Sequence, residues 1–167
     1  MSEMRKFFLL FVAILSIAGL HANAQIKNTI LNTTLGQTAK QRAHKIVENM
    51  RCDFSYTDET ITCSDVKFAG YEWEKVVFYF YKNILYKIVF DSPFVVSEKS
   101  MESWKRPTKK SDIVKNLREA AKSKYSNYGG SWTFEDGTTK LDFGFMSMTY
   151  ENIPLSKKVS KESLNDL

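Results

Sequence analysis

The sequence predicts an α+β fold in which one antiparallel sheet carries two helices on one face. Apolar residues recur at helical spacing in two segments, and behind each of these segments they alternate at strand spacing. Short turn signals join the successive strands, and such short connections require antiparallel neighbours. The resulting order, α-β-β-β followed by α-β-β, is a weak tandem duplication. Both helices must pack on the sheet to bury their apolar stripes.

The first 24 residues have the pattern of a cleavable secretory signal peptide. Two basic residues precede an apolar run from Phe7 to Leu20, and Ala22-Asn23-Ala24 supplies the small residues of a cleavage site. A run of about 14 residues is short for a bilayer span, and an uncleaved anchor is the alternative interpretation. We predict an exported protein, periplasmic or secreted after cleavage near Ala24, with one domain over residues 25–155 and a polar tail over 156–167.

The composition agrees with a packed domain and says little about a partner. Aromatic residues make up 14% of the chain, which favours a hydrophobic core over disorder. The chain has 24 Lys plus Arg and 19 Asp plus Glu, and removal of the signal peptide leaves 22 and 18. This basic excess is too mild to identify a partner, and export argues against nucleic acid.

Cys52 and Cys63 are the two cysteines of the chain. In an exported protein such a pair predicts a disulfide, which closes a loop of about 12 residues and contributes about 3 kcal/mol. A metal site and a redox pair are the alternatives. His44 is the single histidine left after cleavage, and C-x-x-C spacing is absent, so both alternatives are weaker.

The first unit is predicted to hold one helix and three strands. Thr38 begins a capping-box pattern with Gln41 three residues later, and an apolar stripe continues to Met50. Ile26–Leu31 precedes this helix as a short strand or a tether. The predicted strands are Thr60–Phe68, Tyr71–Tyr81 and Leu85–Phe90.

The second unit follows an irregular crossover, Asp91–Lys110. A helix is predicted over Ser111–Asn127, with Ser111 as its N-cap and Gly129-Gly130 as its stop signal. A hairpin then turns at Asp136-Gly137. Its two arms are Ser131–Glu135 and Thr139–Tyr150, and the tail from Ser156 to Leu167 is expected to fray.

The strongest strand, Tyr71–Tyr81, predicts a binding surface on the sheet. Val76, Phe78 and Phe80 alternate on one side, which we assign to the core. The opposite side then carries an aromatic row on an open sheet face, and amphipathic aromatics suit protein or sugar recognition. The residues of this predicted row are Trp73, Tyr79 and Tyr81. The alternative is that this side is covered, or that the two faces are inverted.

A basic stretch between residues 105 and 124 predicts a second surface. It holds eight basic and two acidic residues, and Lys115, Arg118 and Lys122 share one helix face at i, i+3 and i+7. Such a face suits an anionic lipid or an acidic glycan. The alternative is a solvated face that keeps the protein soluble.

Several core and turn positions resemble those of the BLIP-like fold, a group that includes beta-lactamase-inhibitor-like repeats and the SmpA/OmlA outer-membrane assembly lipoproteins. The matching positions are Leu35-Gly36-Gln37-Thr38, Phe68-Ala69-Gly70, Trp73, Val76, Phe78, Phe80, Leu85 and Ile88. The resemblance implies a protein-binding or envelope-scaffold role. It transfers no functional residue, and no lipidation cysteine follows the apolar run.

No catalytic constellation is recognisable. The carboxylates Glu72, Glu74, Glu135 and Asp136 lie on a strand or at a turn, without a nucleophile, a metal-ligand spacing or a Gly-rich loop. We therefore predict no enzyme, no cofactor and no metal. The predicted function is an exported protein-binding or envelope-assembly module that uses the open aromatic sheet face and binds another envelope or secreted protein. A small secreted hydrolase and a glycan- or anionic-lipid-binding protein are the alternatives.

Overall fold

In a computed structural model of the chain, the structure describes residues 25–94, 109–129 and 132–165. The predicted signal peptide lies outside the described residues. Most of the predicted crossover, with the basic residues Lys105 and Arg106, also lies outside them. Within the described part, no helix has the length and apolar character needed to cross a membrane.

The described residues form nine strands and three α-helices. Two short strands, β1 (Thr29–Ile30) and β2 (Thr33–Thr34), precede helix α1 (Lys40–Asn49). Four strands follow: β3 (Phe54–Tyr56), β4 (Thr60–Phe68), β5 (Tyr71–Tyr81) and β6 (Ile84–Phe94). The second part contains α2 (Lys110–Tyr125), a 3₁₀ turn (Ser126–Tyr128), β7 (Thr133–Glu135), β8 (Thr139–Phe143), β9 (Ser147–Asn152) and α3 (Ile153–Asn165).

The main sheet is antiparallel throughout and has the strand order β3-β4-β5-β6-β9-β8-β7. The pairing of β6 with β9 joins the two halves of the chain, with Val89 opposite Thr149 at its centre. Strands β1 and β2 form a separate two-stranded sheet. The predicted α+β class with an antiparallel sheet is confirmed.

One hydrophobic core lies between the sheet and the first two helices. Ala43 and Val47 of α1 and Val114 and Ala121 of α2 belong to the same buried cluster as the inner side chains of the sheet, including Phe78. Both helices therefore pack on one face, as predicted. We call this the inner face of the sheet and the opposite one the outer face.

The pleat of the sheet shifts by one residue along a line that crosses β4, β5 and β6. Asp65 and Ser92 both have positive φ (54° and 56°), and the strand registers place them on either side of Glu74. The alternation changes phase at this line, so Trp73 and Val76 both point into the core. Trp73 is 0% exposed, and its indole N–H donates to the carbonyl of Phe68 at 3.2 Å. The prediction that Trp73 faces outward is wrong.

The predicted helix caps are wrong at both helices. The N-cap residues are Ala39 and Lys109, and neither makes a side-chain cap hydrogen bond. The hydroxyl of Thr38 instead accepts a hydrogen bond from the Thr34 amide at 2.8 Å. This hydrogen bond stabilises the turn between β2 and α1, so the Thr38 side chain does not cap the helix.

The long second arm of the predicted hairpin is two strands. The chain turns at residues 144–146, where the Gly144 amide donates to the Ser147 carbonyl at 2.9 Å. Strand β8 ends before this turn, and β9 returns between β8 and β6. The Asp136-Gly137 turn between β7 and β8 lies where it was predicted. Strand β3 was missed because a run of three residues is too short for the strand period to be recognised.

The tail that was expected to fray is helix α3, and this prediction is wrong. Ser156 contacts Glu151 of β9, and the Glu162 carboxylate accepts from Lys82 Nζ at 2.8 Å, just beyond β5. Six helical residues rise about 9 Å, which is close to two interstrand spacings. Helix α3 therefore crosses the outer face from β9 over β6 to β5, and this packing orders a polar sequence.

Candidate functional site

The predicted aromatic row is reduced to two tyrosines. The register of β5 places Tyr79 and Tyr81 on the outer face, whereas Trp73 lies in the core. The Tyr81 hydroxyl donates to Glu162 of α3, and the Lys87 ammonium lies 4.5 Å from the ring centroid of Tyr79. Both tyrosines are half-buried and make these contacts within the chain.

The predicted basic helix face leads to a different arrangement of aromatic side chains. Arg118 of α2 stacks on the ring of Trp132, with its guanidinium carbon 4.1 Å from the ring centroid. Its Nη2 donates to Glu119 Oε1 at 3.0 Å, and the Arg118 side chain is only 14% exposed. Lys115 lies one turn earlier on α2. A guanidinium over an indole ring is a cation with an apolar neighbour.

The turn between β8 and β9 supplies the opposite wall. The Ser92 amide of β6 donates to the Met146 carbonyl at 3.0 Å, and the Phe143 amide donates to the Trp132 carbonyl at 2.9 Å. These backbone contacts attach both the turn and the Trp132 segment to the sheet. The position of Phe145 relative to α2 is therefore set by the sheet and not by a free loop.

Between these walls is an open groove of about 280 Å³, which we call the aromatic–cationic groove. Its lining residues are Ser111, Val114, Lys115, Arg118, Trp132, Gly144 and Phe145. Trp132, Phe145 and the neighbouring Met146 are 49%, 75% and 40% exposed, and they are among the most exposed large apolar residues described. Such a groove can take an apolar side chain and an anionic group side by side.

Of the three predicted basic site residues, the structure brings two together. Lys115 and Arg118 line the aromatic–cationic groove, and Lys122 is exposed one further turn along α2, outside the lining. Sequence reasoning missed Trp132 and Phe145. The glycines before Trp132 and beside Phe145 marked both as turn neighbours, but the segment 139–150 was interpreted as one unbroken strand.

Two of the carboxylates that were considered for hydrolysis, Glu74 and Asp136, have structural partners. Glu74 pairs with Lys110 at the start of α2. The Asp136 carboxylate accepts backbone N–H groups from Ile26, Thr138 and Thr139 at 2.7–3.0 Å. Burial of Asp136 opposes ionisation, but these hydrogen bonds outweigh it and lower the pKa of the carboxyl. This side chain therefore ties the N-terminal segment to the β7–β8 turn.

His44 lies in an aromatic setting at the β3 edge of the sheet. Its ring makes edge contacts with Phe54 and Tyr56, at centroid distances of 5.2 and 5.3 Å, and Nδ1 lies 3.3 Å from Glu48. Across the described residues, no group of three or more His, Cys, Asp and Glu side chains is placed to hold a metal ion.

Cys52 and Cys63 are neighbouring free thiols that lie beyond bonding distance of each other. Cys63 is fully buried on β4, opposite Phe54 of β3. Its burial, and then the adjacent Cys52, raise the pKa of Cys63 well above its usual range. The predicted disulfide stays a prediction.

A comparison with protein-family models, curated proteins and solved structures finds no match to this chain. The resemblance to the BLIP-like fold therefore also stays a prediction.

Proposed function

We propose that this chain is an exported, non-catalytic protein-binding module whose contact surface is the aromatic–cationic groove. The observation that carries the proposal is the joint exposure of Trp132, Phe145 and Met146 beside Arg118. Aromatic residues, Met and Arg are enriched at the centres of protein interfaces. Exposed apolar side chains that cluster also mark interaction surfaces more often than scattered ones do.

This proposal keeps the predicted class of function but moves the contact surface. Trp73 of the predicted aromatic row is buried in the core, and the hydroxyl of Tyr81 donates a hydrogen bond to helix α3. The groove has an aromatic ring at Trp132, an adjacent cation at Arg118 and a protruding ring at Phe145. The proposed export rests on the pattern of the first 24 residues, and the envelope role rests on the family resemblance.

The structural partners of Glu74 and Asp136 support a role without catalysis. Glu74 pairs with Lys110, and Asp136 accepts backbone N–H groups from the N-terminal segment and from its own turn. The described lining of the aromatic–cationic groove holds Ser111 and Lys115 but no carboxylate, histidine or cysteine, so no second side chain of the usual catalytic pairs lies beside the hydroxyl.

The proposal is tested by affinity capture with the full-length exported protein and two alanine variants. Phe145→Ala removes the most exposed ring of the groove, and Leu164→Ala removes a side chain of similar exposure, 70%, on α3. Neither change should affect folding, because both side chains are largely in solvent. We expect one specific envelope or secreted partner that is retained by Leu164→Ala and lost by Phe145→Ala. Equal capture by both variants, or no partner at all, would contradict the proposed function.

A further inference from the structure

The aromatic–cationic groove places positive charge and apolar surface within one side-chain length of each other. We propose that it binds an acidic peptide segment of the partner, with a large apolar side chain between Trp132 and Phe145 and an adjacent carboxylate on Arg118 and Lys115. This inference rests on the proposed function and names the chemistry of the partner.

The charge on α2 is the first argument for an acidic partner. Within the described residues, no carboxylate lies within 4.0 Å of Lys115 Nζ or Lys122 Nζ. Arg118 shares one nitrogen with Glu119, and a guanidinium has five N–H donors. Lys115 and Lys122 lie seven positions apart, or about 10 Å along the helix, so the described part of α2 offers positive charge from the groove to one turn beyond it, over the length of a short peptide.

The shape of the groove is the second argument. A volume of about 280 Å³ lies just below the range of sites that enclose drug-sized ligands, which begins at about 300 Å³. The groove therefore suits one large side chain. Trp132 and Phe145 both line the groove, so an inserted ring or branched chain would contact aromatic surface there.

The burial of Arg118 favours a peptide over a lipid surface. The guanidinium lies on the Trp132 ring with only 14% of its side chain exposed. An anionic group must enter the groove to reach it. A carboxylate on a protruding side chain meets this requirement, whereas a layer of lipid headgroups would meet the exposed Lys115 and Lys122 at the rim.

The test uses three fluorescent peptides and the full exported protein. The first peptide carries an Asp-Phe-Glu core between Gly and Ser residues, the second replaces the acids by Asn and Gln, and the third keeps the acids and replaces Phe by Ala. Fluorescence anisotropy gives the Kd of each. We expect the first peptide to bind about tenfold or more tightly than either control, the scale of one well-placed charged or apolar contact.

Two protein variants locate the effect. Lys115→Gln removes an exposed cation from the groove, and Lys45→Gln removes an exposed cation from α1. The first variant should weaken binding of the acidic peptide several-fold, and the second should leave it unchanged. Arg118→Gln should reduce the preference for the acidic peptide, and the double change Lys115→Gln with Arg118→Gln should remove it. Added salt should weaken binding of the acidic peptide and leave the neutral one unaffected.

The outcomes separate this inference from the proposed function. Equal affinity for the acidic and neutral peptides, or an equal effect of Lys115→Gln and Lys45→Gln, overturns the inference. Binding to vesicles of phosphatidylglycerol and phosphatidylcholine without binding to any peptide overturns it in favour of a lipid surface. If a captured partner depends on Phe145 while the acidic peptide shows no preference, the acidic chemistry is wrong and the protein-binding function stands.

Discussion

Replacement of Trp73 by alanine should greatly lower the free energy of unfolding of this protein, although the strand pattern in the sequence predicts that the residue lies on a binding face. The side chain is 0% exposed, and its ring meets Phe90 at a centroid distance of 5.3 Å. Truncation of a buried aromatic side chain to alanine costs about 3–5 kcal/mol, because apolar burial is lost and a cavity is left. Domains of this size have about 5–15 kcal/mol of stability in total.

The Trp73 indole N–H adds a smaller contribution that a second variant isolates. It donates to the carbonyl of Phe68 at 3.2 Å. Trp73→Phe keeps an aromatic ring but removes this donor, so we expect a loss of about 1 kcal/mol from the missing hydrogen bond, in addition to the effect of the smaller side-chain volume. Trp132→Ala is the matched control, because its ring is 49% exposed, and its effect should stay below about 1 kcal/mol.

Urea unfolding followed by circular dichroism measures all three variants, since tryptophan fluorescence changes with the substitutions themselves. The urea concentration at the midpoint should be highest for Trp132→Ala, lower for Trp73→Phe and lowest for Trp73→Ala. The slope of the unfolding free energy against urea concentration should stay unchanged. If Trp73→Ala lowers the free energy of unfolding by less than about 1 kcal/mol, the residue is not in the core. The phase shift of the pleat beside Glu74 is then also incorrect.

Two further predictions concern the ties that hold the chain together. Asp136→Ala removes the carboxylate that accepts three backbone N–H groups, and urea unfolding at pH 7 should show a loss of about 2 kcal/mol. Because the folded pKa of Asp136 lies below the unfolded value, its contribution is complete above an unfolded pKa of about 3.9 and is lost as the pH falls through the folded pKa. The difference between the wild type and Asp136→Ala should therefore shrink in acid, and a constant difference would refute this role. Oxidation of Cys52 and Cys63 should leave no titratable thiol in the exported protein, and reduction should lower the free energy of unfolding by about 3 kcal/mol. Two titratable thiols in the native exported protein would contradict the disulfide.

Local patterns in the sequence determined the strands of the first unit well. Thr60–Phe68 and Tyr71–Tyr81 have the predicted limits, because alternation and a two-residue turn are properties of neighbouring residues. The Asp136-Gly137 turn was likewise predictable, since a carboxylate that accepts nearby amides is a local device.

The sequence predicted only part of the candidate site. Lys115 and Arg118 were identified from their spacing on α2, which is a helical repeat. Trp132 and Phe145 were not identified, because their proximity to Arg118 depends on where β7, β8 and β9 join the sheet. No short-range pattern encodes the contact between a helix and a turn that lies 27 residues after Arg118.

Tertiary structure alone decided which side of the sheet each aromatic residue faces. The strand period predicts that Trp73 and Val76 point to opposite sides, and the positive φ of Asp65 and Ser92 in the adjacent strands accompanies the shift that buries both. The helical structure of α3 likewise depends on tertiary contacts. Its polar sequence favours disorder in isolation, but contacts with β5 and β9 across the outer face stabilise the helix. The sequence by itself determined the compartment prediction and the local elements, whereas the long-range pairing of these elements determined the surface that the protein presents.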